Sequence, residues 1–241
     1  MGLPQNIKRF NPNFIIEDWC YDRLLCVNEL DNYKFYNSRI EYDNYIVPVD
    51  KIVGTTHFNY IGRTWIDLPY QMKRFQDYYN ANNFLEFVKT EDFDKNDLGY
   101  IKYGDLFFIS GGNHRTCQAK FSNLKSIKAH VVEFIFDDKM FNIFNYLKNE
   151  NLKPKIEMGG GGKYYRFNSW IIKLNSRKIY FKSFAAIEKF IGFYEFIIPS
   201  WKNTLLAKWS KKEFLHVYSE EKDYNHLKNS IVMHKIKVLN D

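Results

Sequence analysis

Cysteine is scarce and unpaired in this chain: Cys20, Cys26 and Cys117 are the three in 241 residues, and no two stand at C-x-x-C spacing. An odd count without that spacing speaks against a disulfide framework or a cysteine zinc site, and it suits a reducing compartment. The six histidines, His57, His114, His130, His216, His226 and His234, offer no His-x-x-x-His pair, so no structural metal is expected. Long apolar runs are missing too. The stretch from Phe190 to Ile198 is broken by Gly192 and Glu195 and is too short to cross a bilayer, and the first residues carry no apolar signal core. A cytoplasmic protein with no membrane partner is the expectation.

Acidic residues are absent locally. Between Met158 and Ile187 there is no Asp or Glu, while Lys163, Arg166, Lys173, Arg177, Lys178 and Lys182 all fall there. From Lys155 to Asp241 the chain holds 16 Lys and Arg against 8 Asp and Glu, so the whole of its +7 net charge sits at this end. A polyanion partner, DNA above all, is the simplest reading, and a solvated basic face that serves only solubility is the alternative.

The segment Ser110-Gly111-Gly112-Asn113-His114-Arg115-Thr116-Cys117-Gln118-Ala119-Lys120-Phe121 carries the most information. The run before it, Leu106-Phe107-Phe108-Ile109, reads as a buried strand, and Asn113 reads as the cap of a helix beginning there. The first turn of such a helix offers unpaired N–H donors and the positive end of the dipole, and Arg115 can add a two-pronged guanidinium fork to a phosphate. Gly111, Gly112, Asn113, His114, Arg115 and Thr116 are therefore expected to hold a phosphate or nucleotide. His114 and Arg115 are the catalytic candidates, His114 as an acid or base near neutral pH or else as a neutral ligand of the anion. Cys117 is expected to be a buried small hydrophobe, and Trp65 and Tyr70 are assigned to the core ahead of base stacking.

At Gly112, Asn113, His114, Arg115 and Ala119 the sequence resembles the ParB/sulfiredoxin superfamily, whose signature is a strand, a Gly-x-x-Arg-type turn and a helix carrying small residues. The likeness extends over residues 44–136: an apolar strand at Ile46–Val49, a helix from Leu68 to Tyr79, a hairpin into the motif and a closing strand from Ile127 to Phe134. The resemblance implies nucleotide phosphate binding, with ATP or CTP as the candidate cofactor; a magnesium ion can accompany such a nucleotide, since it takes one or two carboxylates plus phosphate oxygens and leaves little sequence trace. Its members include partition CTPases, sulfiredoxin, serine kinases and nucleases, and it carries an association with mobile elements. Asn113 stands where sulfiredoxin has its reactive cysteine, which argues against that chemistry. A single arginine at the turn leaves the nucleotide open. Arg63, in Thr55–Arg63, corresponds to a second arginine of the family.

The expected fold class is α+β: an N-terminal extension over 1–43, a ParB/sulfiredoxin-like domain with a small mixed sheet and flanking helices over 44–158, and a basic hairpin–helix module over 159–241. Apolar residues at Phe14, Trp19, Leu24 and Leu25 suggest a helix within Phe14–Leu30, and residues 31–45 suggest an irregular segment or an edge strand. Met140–Leu147 reads as a helix packed on the first domain. Gly159–Gly162 marks the boundary between domains. It is no P-loop, since Glu157 and Tyr164 replace the required glycine and hydroxyl.

Beyond the glycines, Tyr164–Leu174 and Lys178–Ser183 read as a hairpin with a cationic face. Lys163, Arg166, Lys173, Arg177, Lys178, Tyr180 and Lys182 are its candidate DNA contacts. A helix from Phe184, ended by Gly192, makes Ser183–Gly192 resemble the modular helix-turn-helix units of homing endonucleases. The alternatives to a DNA-associated nuclease or nucleotide hydrolase are a small-molecule kinase or nucleotide hydrolase that ignores DNA, and a non-enzymatic binding protein of a mobile element.

Overall fold

A computed structural model describes residues 5–72, 75, 80–90, 97–158, 168–175, 177–181, 183–200 and 227–240. The chain is mixed α/β and divides into two compact units, Met1–Phe136 and Asp137–Asp241. The division falls before the glycine run 159–162, which itself lies outside the described residues.

In the first unit α1 spans Gln5–Phe10, β1 Tyr36–Pro48, β2 Ile52–Thr55, α2 Leu68–Gln71, α3 Ala81–Thr90, β3 Gly99–Tyr103, β4 Leu106–Gly111, α4 Asn113–Phe121 and β5 Ser126–Phe136. The five strands form a mixed sheet in the order β1-β5-β3-β4-β2. The β1/β5 and β3/β4 pairs are antiparallel, and the β3/β5 and β2/β4 pairs are parallel. Burial on both faces explains why β4 reads as an unbroken apolar run. Phe107 and Ile109 join the cluster that includes the helices, with Phe10, Phe84 and Phe121, while Phe108 points into a second cluster with Ile101, Tyr103, Val132 and Phe134. β1 lies at the sheet edge, as one reading of residues 31–45 expects, but it crosses position 43, so the first 43 residues are no separate extension.

Two expected helices are corrected. Phe14–Leu30 forms short 3-10 turns at Asp18–Tyr21 and Val27–Glu29, with extended chain between them. Leu25 bridges to Gly54: its N–H donates to the Val53 carbonyl at 3.1 Å and its carbonyl accepts from the Thr55 N–H at 3.2 Å. Covering the open edge of β2 outweighs the apolar spacing that suggested a helix. The helix expected from Leu68 to Tyr79 stops at Gln71, because Met72 leaves the helical region with ψ 85°; residues 73, 74 and 76–79 are outside the described set.

In the second unit α5 spans Asp138–Asn149, β6 Lys155–Met158, β7 Asn168–Leu174, β8 Arg177–Phe181, α6 Phe184–Phe196 and α7 Lys228–Asn240. α5 thus opens this unit and does not close the first. The antiparallel sheet β6-β7-β8 buries Trp170, Ile172, Leu174, Ile179 and Phe181 on one face. Phe190 of α6 lies 5.2 Å from Phe181, and Trp170 is flanked by Phe184 at 6.0 Å and Phe144 at 6.2 Å. Side-chain caps start two helices: Asp137 accepts from Met140 N–H at 2.9 Å and Ser183 from Ala186 N–H at 3.2 Å. α6 runs past Gly192, which is exposed and has nothing within 4 Å of where a Cβ would sit. Tyr194 anchors the extra turn, buried and donating its hydroxyl to Glu150 at 3.0 Å. Among the described residues no helix is long and apolar enough to cross a membrane.

Candidate functional site

β2 and β4 run parallel as neighbours, and β3 runs antiparallel beside β4, so the ends of β2 and β4 meet the start of β3 at one end of the sheet. Ligands in open sheets collect where the carboxyl ends of adjacent parallel strands meet. The turn Gly111–Arg115 lies here. Gly112 sits in the left-handed region, with φ 77° and ψ 36°, and takes the cap position that the sequence had assigned to Asn113. A Cβ at Gly112 would stand 2.4 Å from the Asp97 carbonyl oxygen, so both the conformation and the close approach require glycine.

Asn113 is the first helical residue, and its side chain faces β2: Thr55 Oγ1 donates to Asn113 Oδ1 at 2.9 Å and accepts from the His57 N–H at 3.1 Å. Thr116 is buried, with its hydroxyl 2.9 Å from that of Tyr100 and 3.1 Å from the Gly112 carbonyl that it donates to. Burial pushes the Tyr100 hydroxyl well above its ordinary pKa, so it stays a neutral hydrogen-bonding group. The first intrahelical bond is Thr116 N–H to Gly112 O at 2.9 Å, so the amides of Asn113, His114 and Arg115 precede the ladder at the positive end of the dipole. Gly111 through Arg115 are all partly exposed.

Arg115 departs from expectation. Its Nη1 donates to the Asp97 carbonyl oxygen and to Asp97 Oδ1, both at 2.8 Å, and so ties the start of β3 to the first turn of α4. The guanidinium fork expected to clamp an oxyanion already has a carboxylate partner. That pair is open to water, with side-chain exposures of 35% and 46%.

Other candidates fall elsewhere. Cys117 and Trp65 are buried in the core, as expected, and burial pushes the Cys117 thiol pKa up. Tyr70 is exposed. Arg63 is exposed and closes its own loop, its Nε donating to the Asn59 carbonyl at 2.6 Å. Of the carboxylates near the first strands, Asp43 faces His130 at 3.0 Å, Glu41 faces Arg39 at 3.5 Å and Asp67 accepts from Thr64. Sequence reasoning missed the aromatic stack after β2: His57 lies 5.5 Å from Phe58 at 6° and 4.7 Å from Tyr60 at 28°. Phe58 is 79% exposed. Three rings within four residues after a strand were the signal available for it.

In the second unit the strand register sets Lys173 directly opposite Lys178, and both are exposed. Tyr180, half-buried, is on the same face as Lys178. Lys153, Lys173 and Lys237, all exposed, surround a cavity of about 110 Å³. Buried His234 also lines it, its Nε2 donating to the Glu150 carbonyl at 2.8 Å. Lys163, Arg166 and Lys182 lie outside the described residues, as does the side chain of Arg177. Among the described residues no cluster of three His, Cys, Asp or Glu stands ready for a metal.

No family model, curated protein or solved structure matches this chain.

Proposed function

We propose that this chain is a DNA-associated protein of ParB/sulfiredoxin type. The second unit grips phosphate groups of the duplex, and the turn Gly111–Thr116 of the first unit receives a nucleotide or backbone phosphate. The observation that carries this reading is the register of β7 and β8. Like charges held opposite each other across a strand pair cost stability, and Lys173 and Lys178 are so held, with Lys153 and Lys237 around the same cavity as Lys173. A polyanion converts that cost into binding through release of its counterions. Hydrolysis of a phosphoester, as by a nuclease or nucleotide hydrolase, would fall to His114 as acid or base, and magnesium would sit on the phosphate oxygens.

The test is the anisotropy of a labelled duplex titrated with protein across a salt series. Affinity is expected to fall linearly on logarithmic axes, with a slope of about −0.9 per phosphate contacted. Absent or salt-insensitive binding removes the reading.

The exposed His57–Phe58–Tyr60 stack favours a second reading, in which the first unit binds a nucleotide alone and the basic face serves solubility. A base stacks on such rings while its phosphates reach the helix turn. The anion must then compete with Asp97 for Arg115. Asp97→Ala is expected to tighten ATP or CTP by up to about fivefold, the value of a solvent-exposed ion pair released. The shift in melting temperature with added nucleotide and magnesium measures it. Nucleotide stabilisation that is the same in both proteins would show that Arg115 takes no part.

A further inference from the structure

The far end of α4 holds a second constellation. Lys120 is 7% exposed, with its ammonium 4.4 Å from the centre of the Trp65 ring and 5.0 Å from that of Trp19. Its backbone carbonyl accepts from Asn123 N–H at 3.0 Å, while among the described residues its ammonium makes no ion pair and no hydrogen bond. It lines a cavity of about 570 Å³ whose apolar lining comes from Trp19, Val49 and Leu124, a volume suited to a small molecule. Exposed Glu17, Asp50 and Lys125 also line it. Glu17 Oε2 accepts from Trp19 Nε1 at 3.1 Å and so fixes one aromatic wall.

Two indole faces attract a cation but do not neutralise it, and a buried charge with no counter-ion is costly. We propose that this cavity binds a small organic carboxylate, its carboxylate paired with Lys120 Nζ and its apolar body lying along Trp19, Val49 and Leu124. Glu17 and Asp50 repel a second negative charge, and Lys125 offsets one of them, so a monoanion is preferred to a phosphate dianion. The site is independent of the phosphate turn, which lies at the other end of α4.

The electrostatics agree. Burial pulls the Lys120 amine down to about 8, against a weaker upward pull from Cys117 on the same helix and from Asp50, Asp22 and Cys20 on the elements around it. The buried thiol of Cys117 is held neutral and supplies no counter-ion. Because the folded-state value lies below the ordinary lysine value, the charged amine costs stability below pH 8, and the cost lifts as pH rises toward the unfolded value. A bound carboxylate offsets that cost where the amine is charged. Its affinity should therefore be full below pH 8 and decline about tenfold per unit above it.

Calorimetric titration with benzoate, which is ionised throughout the range, is the test. Saturable binding is expected at about pH 6.5, weaker by roughly thirtyfold at about pH 9.5. Lys120→Met should abolish it and Lys120→Arg should preserve part of it, while inorganic phosphate should not compete. The pH comparison uses the unmodified chain, so it stands even if Lys120→Met fails to fold. No saturable binding, pH-independent binding, or equal binding by a folded Lys120→Met would overturn the proposal.

Discussion

Alanine at position 54 will destabilise the first unit by about 3 kcal/mol, through overpacking against atoms that cannot retreat. A Cβ there would stand 2.2 Å from the Leu25 carbonyl oxygen and 2.6 Å from two ring carbons of Phe108. Leu25 cannot move away without losing the bond its carbonyl accepts from Thr55 N–H. Phe108 is fully buried, with Tyr103 edge-on at 6.0 Å, so its ring has nowhere to turn. Gly62 provides the comparison. It has φ 78° but nothing within 4 Å of where a Cβ would stand, so Gly62→Ala meets only the left-handed penalty of roughly 1–2 kcal/mol. Denaturant unfolding of the two variants measures the difference. Equal losses would mean that Leu25 does not hold the edge of β2 as described.

Reversing two charges, Lys173→Glu with Lys178→Glu, will weaken duplex binding on the order of a hundredfold at low salt and reduce the salt slope by about 2. Lys51→Glu, an exposed change on the first unit, is the control and should leave the slope unchanged. Stability separates this effect from unfolding. Lys178→Glu alone places opposite charges across the β7/β8 pair, so it should stabilise the sheet by roughly 0.2–1 kcal/mol while weakening DNA binding. A variant that loses both stability and binding would point to damage to the strands rather than to loss of a phosphate contact.

The strand, turn and helix from Leu106 to Phe121 were legible because a short apolar run, a glycine and a polar first turn are local signals. The β7/β8 hairpin was legible for the same reason, through the alternation of Lys178 and Tyr180 with Ile179 and Phe181. Contacts between distant residues were not. Thr55 reaches Asn113 across 58 positions, and nothing in either neighbourhood announces the bond. Arg115 looks like an open anion clamp in sequence, and only the antiparallel start of β3 brings Asp97 to it. Lys120 looks like an ordinary surface lysine near a helix end. It is buried because Trp19 and Trp65 arrive from segments whose paths follow the covering of β2. The two compact units divide at Phe136, whereas the four glycines that mark the boundary in the sequence lie outside the described residues.

The pairing of β1 with β5 has a consequence for how the protein is made. Tyr36 lies opposite Phe136, so the amino-proximal strand awaits a partner translated 100 residues later. At about 5–20 residues per second, a ribosome leaves that strand unpaired for roughly 5–20 s. Ile40 and Ile46 remain exposed even when the strand is paired, and the polar and charged residues between them, Glu41, Asp43 and Asn44, keep the waiting strand from presenting a continuous apolar edge.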